Sequence, residues 1–185
     1  MKALMFCLSL IVFMAAQVVP PITSEKFFPV LVKPNKQYIV WKDKMVETVK
    51  SFESYRPQPY LCPAGVLTVG YGHTGKYASR AMSKKQAEDV LKKELNECRK
   101  IVLRNVKVSL TEWQLCSLTS FTYNCGEGSL KKLINGPRRL NAGNYDSIKK
   151  IMPMYRKGGG RVLKGLVKRR AVEVDMWNGV VCLRG

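Results

Sequence analysis

Histidine is almost absent from this sequence: His73 is the only one in 185 residues. No spacing of metal-ligating side chains can be built around a single histidine, so neither a metal nor any other cofactor is expected. Acidic residues are also few. Thirteen Asp and Glu stand against 32 Lys and Arg, a formal net charge of +19. Residues 1–24 hold one lysine and no acid, so by subtraction about +18 belongs to the remainder. Such a surplus favours acidic polymers, whether nucleic acid, anionic lipid or bacterial cell wall, although a solvated basic surface with no dedicated partner has the same composition. There is no internal repeat, no low-complexity tract and no recognisable nucleic-acid-binding motif, and nucleic acid is therefore not expected as a partner. The length suits one domain with a core of its own.

Charge is nearly missing from residues 1–19, where Lys2 is followed by an apolar run broken only by Ser9 and Gln17. A cleavable signal peptide needs about 7 to 15 apolar residues, and a membrane span about 20. The run fits the first from Ala3 to Ala16 and approaches the second when extended to Val19. What it lacks is a good cleavage site, because cutting after Ala16 places Met14 where a small residue is wanted. Export is expected, with cleavage and retention at the inner membrane both open. Residues 20–36, opening on Pro20-Pro21, read as a linker, and 37–185 as the folded domain.

Helical periodicity is strongest after Ser83-x-x-Gln86, a capping-box pattern followed by Ala87, Val90, Leu91, Leu95, Cys98 and Val102 at intervals of three and four. Its Lys- and Glu-rich face is expected to be merely solvated. Thr111-x-x-Gln114 repeats the pattern and opens a central helix through Leu118 and Phe121 to a stop at Gly126. An earlier helix runs from Gln37 through Met45 and Val49 and delivers Glu53 at its end. Shorter helices are expected within Leu130–Leu140, interrupted at Gly136-Pro137, and over Tyr145–Met152, ended by Pro153. The last helix, Leu166–Trp177, is expected to bury Val167, Ala171, Val174 and Trp177 and to turn Lys168, Arg169 and Arg170 largely outward.

The stretch 51–75 is where the chain must change direction most often. Pro57, Pro59 and Pro63 force it out of the helix after Glu53, Val66–Val69 is β-branched enough for a short strand, and Gly70, Gly72 and Gly75 mark bends around that strand. Glu53 is the only acid there. A carboxyl at a helix end facing a cleft can protonate a leaving oxygen, which is half of what glycosidic hydrolysis requires.

Glu53, Cys62 and Thr68, followed by Gly70-Tyr-Gly-His-Thr74, have a spacing that resembles the phage-type lysozymes of glycoside hydrolase family 24. Ser120-Phe-Thr-Tyr-Asn-Cys-Gly126 resembles the family's Ser-Phe-x-Phe-Asn-x-Gly segment, and Gly165-Leu-Val-Lys-Arg-Arg170 its Gly-Leu-x-x-Arg-Arg signature. The three matches run in family order from about Gln37 to the C-terminus, and the N-terminal run points to the endolysins that carry their own export segment. Members of that group have anchors rich in Gly and Ala, whereas this one has no Gly and three Ala.

The resemblance implies an α+β, lysozyme-like fold in which a small β-hairpin lobe sits on a larger helical lobe with the cleft between them. It implies a muramidase that hydrolyses the β-1,4 bond between N-acetylmuramic acid and N-acetylglucosamine in peptidoglycan, acting as a monomer in the periplasm or tethered to the inner membrane, in host lysis or in wall remodelling. Glu53 would be the general acid. Cys62 stands where many members have aspartate, and a thiol of ordinary pKa, about 8.5, is a poor base for water. It could position water, act in part as thiolate, or be a structural cysteine. Thr68 would hold water or sugar on the opposite face, and Thr74 and Tyr123 would line the sugar cleft. His73 is expected to hold the hairpin rather than move protons. The alternative is a peptidoglycan-binding or structural envelope protein that lost catalysis along with the aspartate.

Five cysteines lie beyond the export segment. With Cys62 free, Cys98, Cys116, Cys125 and Cys182 allow three pairings, and the all-reduced state is a further possibility. Cys116 and Cys125 fall on opposite sides of one helix about 13 Å apart along its axis, which removes one pairing unless the helix breaks.

Overall fold

The computed structural model describes residues 36–62 and 65–180. The expected export segment, all but the last residue of the expected linker, and Cys7 and Cys182 lie outside them. Among the described residues no helix is long and apolar enough to cross a membrane.

The order is α1 (Lys36–Phe52), β1 (Arg56–Leu61), β2 (Leu67–Gly70), α2 (Lys84–Asn105), α3 (Glu112–Ile134), α4 (Asp146–Ile151), β3 (Lys157–Gly158), β4 (Arg161–Val162) and α5 (Lys164–Trp177), with 3-10 turns at Leu140–Ala142 and Met152–Met154. β1 pairs antiparallel with β2, Tyr60 opposite Thr68 and Leu61 opposite Leu67, and a register irregularity precedes Tyr60. The two prolines of β1 are tolerated because a two-stranded ribbon leaves each strand an edge with no donor demanded. This is the α+β architecture the resemblance implied, with two small hairpins, β1–β2 and β3–β4, on a mainly helical body.

Both expected capping boxes form. Ser83 and Gln86 satisfy one another's backbone N–H at the start of α2, as Thr111 and Gln114 do at the start of α3. Each such cap is worth about 1 kcal/mol and fixes where its helix begins. α3 is the central helix: every residue from Leu115 to Thr122 is buried. Its hydroxyls go in without being orphaned, since Thr119 donates to Leu115 O at 2.7 Å, Thr122 to Leu118 O at 2.7 Å and Ser117 to Glu173 O at 2.6 Å.

Several boundaries differ from expectation. Gly126 leaves helical geometry (φ 77°, ψ 168°), but the helix resumes beyond it and runs to Ile134. The break is real and the stop is not, because Leu130, Leu133 and Ile134 have a core to enter and are fully buried. The helix after Tyr145 ends at Ile151, and Pro153 is taken into the following 3-10 turn, where the first positions require no N–H.

The largest correction concerns α5. Arg169 and Arg170 are 3% and 1% exposed, whereas Val167 is 40% exposed and Ala171 also faces outward. The buried face is Arg169, Arg170, Glu173, Met176 and Trp177. Two arginines are held inside because Glu173, wholly buried, lies one helical turn beyond both.

The core has two centres. One joins the hairpin to α1 and α2 through Val49, Val69, Tyr71, Met82, Ala87 and Leu91. The other lies within the helical body around Leu118, Phe121, Leu130, Ile148 and Trp177. Gly70 docks the hairpin on α2. Its φ is 66°, and a Cβ there would meet the Ala87 Cβ at 2.9 Å, so only glycine permits the approach.

Candidate active site

Glu53 follows directly on α1, its N–H still donating to Val49 O at 3.0 Å, so the last helical turn fixes its backbone. Its side chain is 25% exposed and meets Arg169, where Nη1 approaches Oε1 to 2.6 Å. Arg169 uses its whole fork: Nε donates to Glu173 Oε1 at 3.2 Å and Nη2 to Ser120 O at 3.4 Å. Glu173 Oε1 also accepts from Ser120 Oγ at 2.8 Å and Arg170 Nη2 at 3.0 Å. Its Oε2 lies 2.8 Å from Arg170 Nε, a close ionic contact not aligned as a hydrogen bond. Burial pushes the Glu173 carboxyl's pKa up, against the pull of Arg170 and Arg169. Two cations and two acids thus form one connected group running from the core to the surface carboxyl.

The hairpin approaches the same carboxyl from the other side. Gly72 (φ 89°) leaves open the space where a Cβ would lie 3.6 Å from Glu53 Oε2 and 3.8 Å from Tyr123 Oη. Tyr123 donates to Tyr71 O at 2.8 Å and has Glu94 Oε2 at 3.5 Å. Burial, reinforced by Glu94 and Glu53, raises the Tyr123 phenol far above its usual pKa, so it remains a neutral donor. Glu53, Gly72 and Tyr123 are therefore brought together, with Arg169 behind the acid.

His73 ties the hairpin to α2. Nδ1 is 2.7 Å from Glu94 Oε1 and Nε2 is 2.9 Å from Lys76 O. A carboxylate and a carbonyl are both acceptors, so the ring satisfies both only when each nitrogen carries a proton. Burial opposes that charge, but Glu94 and the Lys76 carbonyl outweigh it and raise the His73 pKa above its ordinary 6.5. Glu94 comes from the α2 face expected to be merely solvated, and it serves instead as the anchor for His73 and a neighbour of Tyr123.

Cys62 and Thr68 share an acceptor. The Cys62 N–H donates to Val66 O at 3.0 Å, and Thr68 Oγ1 donates to the same oxygen at 2.9 Å. Tyr60 opposes Thr68 in the ladder, and Cys62 follows Tyr60 by two residues, so Cys62 and Thr68 belong to one face of the hairpin. Thr68 is 3% exposed with its proton committed, which leaves its lone pairs to accept from a water. Cys62 is half-buried, and Thr74 is exposed just beyond the Val69–His73 bridge. Cys98, Cys116 and Cys125 are reduced. Among the described residues no group of three or more His, Cys, Asp or Glu side chains could hold a metal.

No site role was legible in the sequence for Arg169, Arg170, Glu173 or Glu94. The available signal was spacing: Glu173 stands four residues after one arginine and three after the other, on a helix with no other acid before it.

Comparison with known proteins places these residues in a family. Residues 50–173 match the model of the family described as phage lysozyme. The endolysin of Bacillus phage B103 is 36% identical over 134 residues, covering 69% of this chain and 50% of the relative. The SAR-endolysin of Escherichia phage Mu is 35% identical over 129 residues, covering 68% and 74% respectively. The chain spans about half the length of the Bacillus phage relatives it matches. Among solved structures, the muramidase domain of SpmX from Asticaccaulis excentricus superposes with a TM-score of 0.63 at 29% identity, covering 72% of this chain and 93% of that one. The endolysin from Escherichia coli O157:H7 phage FAHEc1 gives 0.66 at 24% identity, over 82% and 96%, a likeness of fold.

Proposed function

Because the chain belongs to the phage lysozyme family, we propose that it is a muramidase, hydrolysing the β-1,4 bond between N-acetylmuramic acid and N-acetylglucosamine in peptidoglycan. The observation that carries this reading is the partly exposed Glu53, clamped at Oε1 by buried Arg169 while Oε2 faces the space cleared by Gly72. An acid catalyst needs one oxygen held and the other turned to the substrate, and this pair provides both.

Glu53 protonates the leaving glycosidic oxygen, and positive charge then develops on the sugar ring. Cys62 and Thr68 position the attacking water from the hairpin face, with Thr68 accepting from it. Tyr123 and Thr74 contact the saccharide. The chain acts without a cofactor, as a monomer. Residues 1–19 export it and keep the domain in the periplasm or at the inner membrane, a reading supported by the apolar run of that segment and by likeness to SAR-endolysins.

The test is Glu53→Gln, measured by clearing of a peptidoglycan suspension. The amide keeps the size of the side chain but has no proton to give, so the rate should fall by about 10²- to 10⁴-fold with the circular-dichroism spectrum unchanged. Clearing at the native rate would refute the assignment. The same assay separates an enzyme from a wall-binding protein, which would sediment with peptidoglycan without clearing it.

A further inference from the structure

We propose that the surface formed by Met154, the β3–β4 hairpin and the first turns of α5 docks on an anionic lipid bilayer. The observation does not depend on the cleft and would hold whatever the cleft cleaves.

From Met152 to Val172 the chain contains no acid. Arg169 and Arg170 turn inward, where Glu53 and Glu173 neutralise them. The remaining cations, Arg156, Lys157, Arg161, Lys164 and Lys168, are all exposed and form no ion pair among the described residues. Exposed cations such as Lys84, Lys107 and Lys132 also form no ion pair among the described residues, while Lys92, Lys100 and Lys131 sit within reach of a nearby carboxylate; this stretch differs in combining a run of cations free of any acid with exposed apolar side chains.

Apolar side chains stand among these cations. Met154 is 70% exposed, Val162 53%, Leu163 45% and Val167 40%. β3 and β4 place Lys157 opposite Val162, so a cation and a branched aliphatic side chain project from the same face of the hairpin, and Gly158 opposite Arg161 forms the other face. The 3-10 turn carrying Met154 packs against α5 and leads into β3 three residues later, so the three elements are neighbours.

Exposed valine, leucine and methionine distinguish the partner. A hydrated polyanion such as a wall polymer rewards the cations and offers nothing to the aliphatic groups. A bilayer with anionic headgroups rewards both, since the cations pair with phosphates while the apolar side chains enter the acyl boundary. The surface therefore suits the membrane, and its cations should make the contact selective for anionic lipid.

The experiment uses the full chain with vesicles of phosphatidylcholine alone or with about a third phosphatidylglycerol. Binding through the N-terminal segment serves as an internal baseline, because an apolar run does not discriminate between the two compositions. Amide exchange read by mass spectrometry should show residues 154–168 protected on the anionic vesicles and unprotected on the neutral ones. Each Lys or Arg near an anionic surface strengthens binding about fivefold, so R161Q/K164Q/K168Q should lower the anionic-over-neutral partition ratio roughly a hundredfold. M154S/V162S should remove the protection and weaken anionic binding as well. All five substituted side chains are exposed, so melting temperatures should hold. Unchanged exchange at 154–168 on anionic vesicles would overturn the proposal. So would native-like vesicle binding by M154S/V162S together with loss of a soluble polyanion, polyglutamate, by the triple variant; that result would assign the surface to wall polymers.

Discussion

Arg169 Nη1 lies 2.6 Å from Glu53 Oε1, joining the end of α1 to the middle of α5 across 116 residues of chain. The link makes the candidate acid part of the helical core, because the same guanidinium is held by Glu173 and the Ser120 carbonyl. A carboxyl at a helix end would otherwise sample several rotamers, and fixing it lowers the entropy that the reaction must overcome.

Replacing Arg169 should therefore cost turnover more than affinity. Arg169→Lys keeps the charge but has one nitrogen where three are used, so Glu53 and Glu173 can no longer both be held. A fall of about ten- to a hundredfold in the rate of wall clearing is expected, with sedimentation of the protein with peptidoglycan unchanged. Native rates in Arg169→Lys would show that charge alone, without the fork, is enough at this place.

Glu173 is the counter-ion for two buried arginines, and removing its charge leaves one of them uncompensated. Glu173→Gln is expected to destabilise the fold by about 3–5 kcal/mol, the usual cost of breaking a buried pair from one side. Urea unfolding would measure it. A loss below about 1 kcal/mol would mean that water reaches Arg170 and screens it.

These arginines also mark the boundary of what can be read from the residues alone. The capping boxes at Ser83 and Thr111 were legible because they are local, and each helix start depends on four neighbouring residues. The β1–β2 hairpin after Glu53 was legible because the bends around it are written in proline and glycine. The inward face of α5 was not. A run of Lys-Arg-Arg is ordinarily solvated, and besides Glu173 its two arginines are held by Glu53, Ser120 and Asn124, which reach them only after the chain has folded back. Glu94 was missed for the same reason, since its partner His73 lies 21 residues away on another element.

His73 and Glu94 give the fold a pH dependence whose sign follows from the raised pKa of the ring. The folded state favours the imidazolium, so this contribution is fully present below the unfolded pKa of about 6.5 and is lost as pH rises through the higher folded value. Neutralising the ring also leaves either Glu94 or the Lys76 carbonyl facing a lone pair. His73→Ala should lower the melting temperature most near pH 5 and least near pH 9. A difference that stays constant over this range would show that the ring contributes by packing and not by charge.

The sharpest prediction concerns Cys62, which shares the Val66 carbonyl with Thr68 at the hairpin. If this position serves the attacking water, Cys62→Asp should keep or raise activity, because a carboxylate is ionised at neutral pH and similar in size. Cys62→Ala should lose most of the activity and keep the fold. Alkylation should silence the native chain and leave Cys62→Asp unaffected. The structure makes that reagent informative, because burial pushes the Cys98 thiol up to about 11 and the Cys116 thiol up to about 12, and reaction requires the thiolate. Cys125 is likewise raised by burial, with Arg170 opposing. Modification of these three should therefore be slow, and mass spectrometry would show whether loss of clearing follows modification of Cys62. Wild-type activity in Cys62→Ala would reduce this thiol to a structural residue of the hairpin and leave Glu53 and Thr68 to carry the reaction.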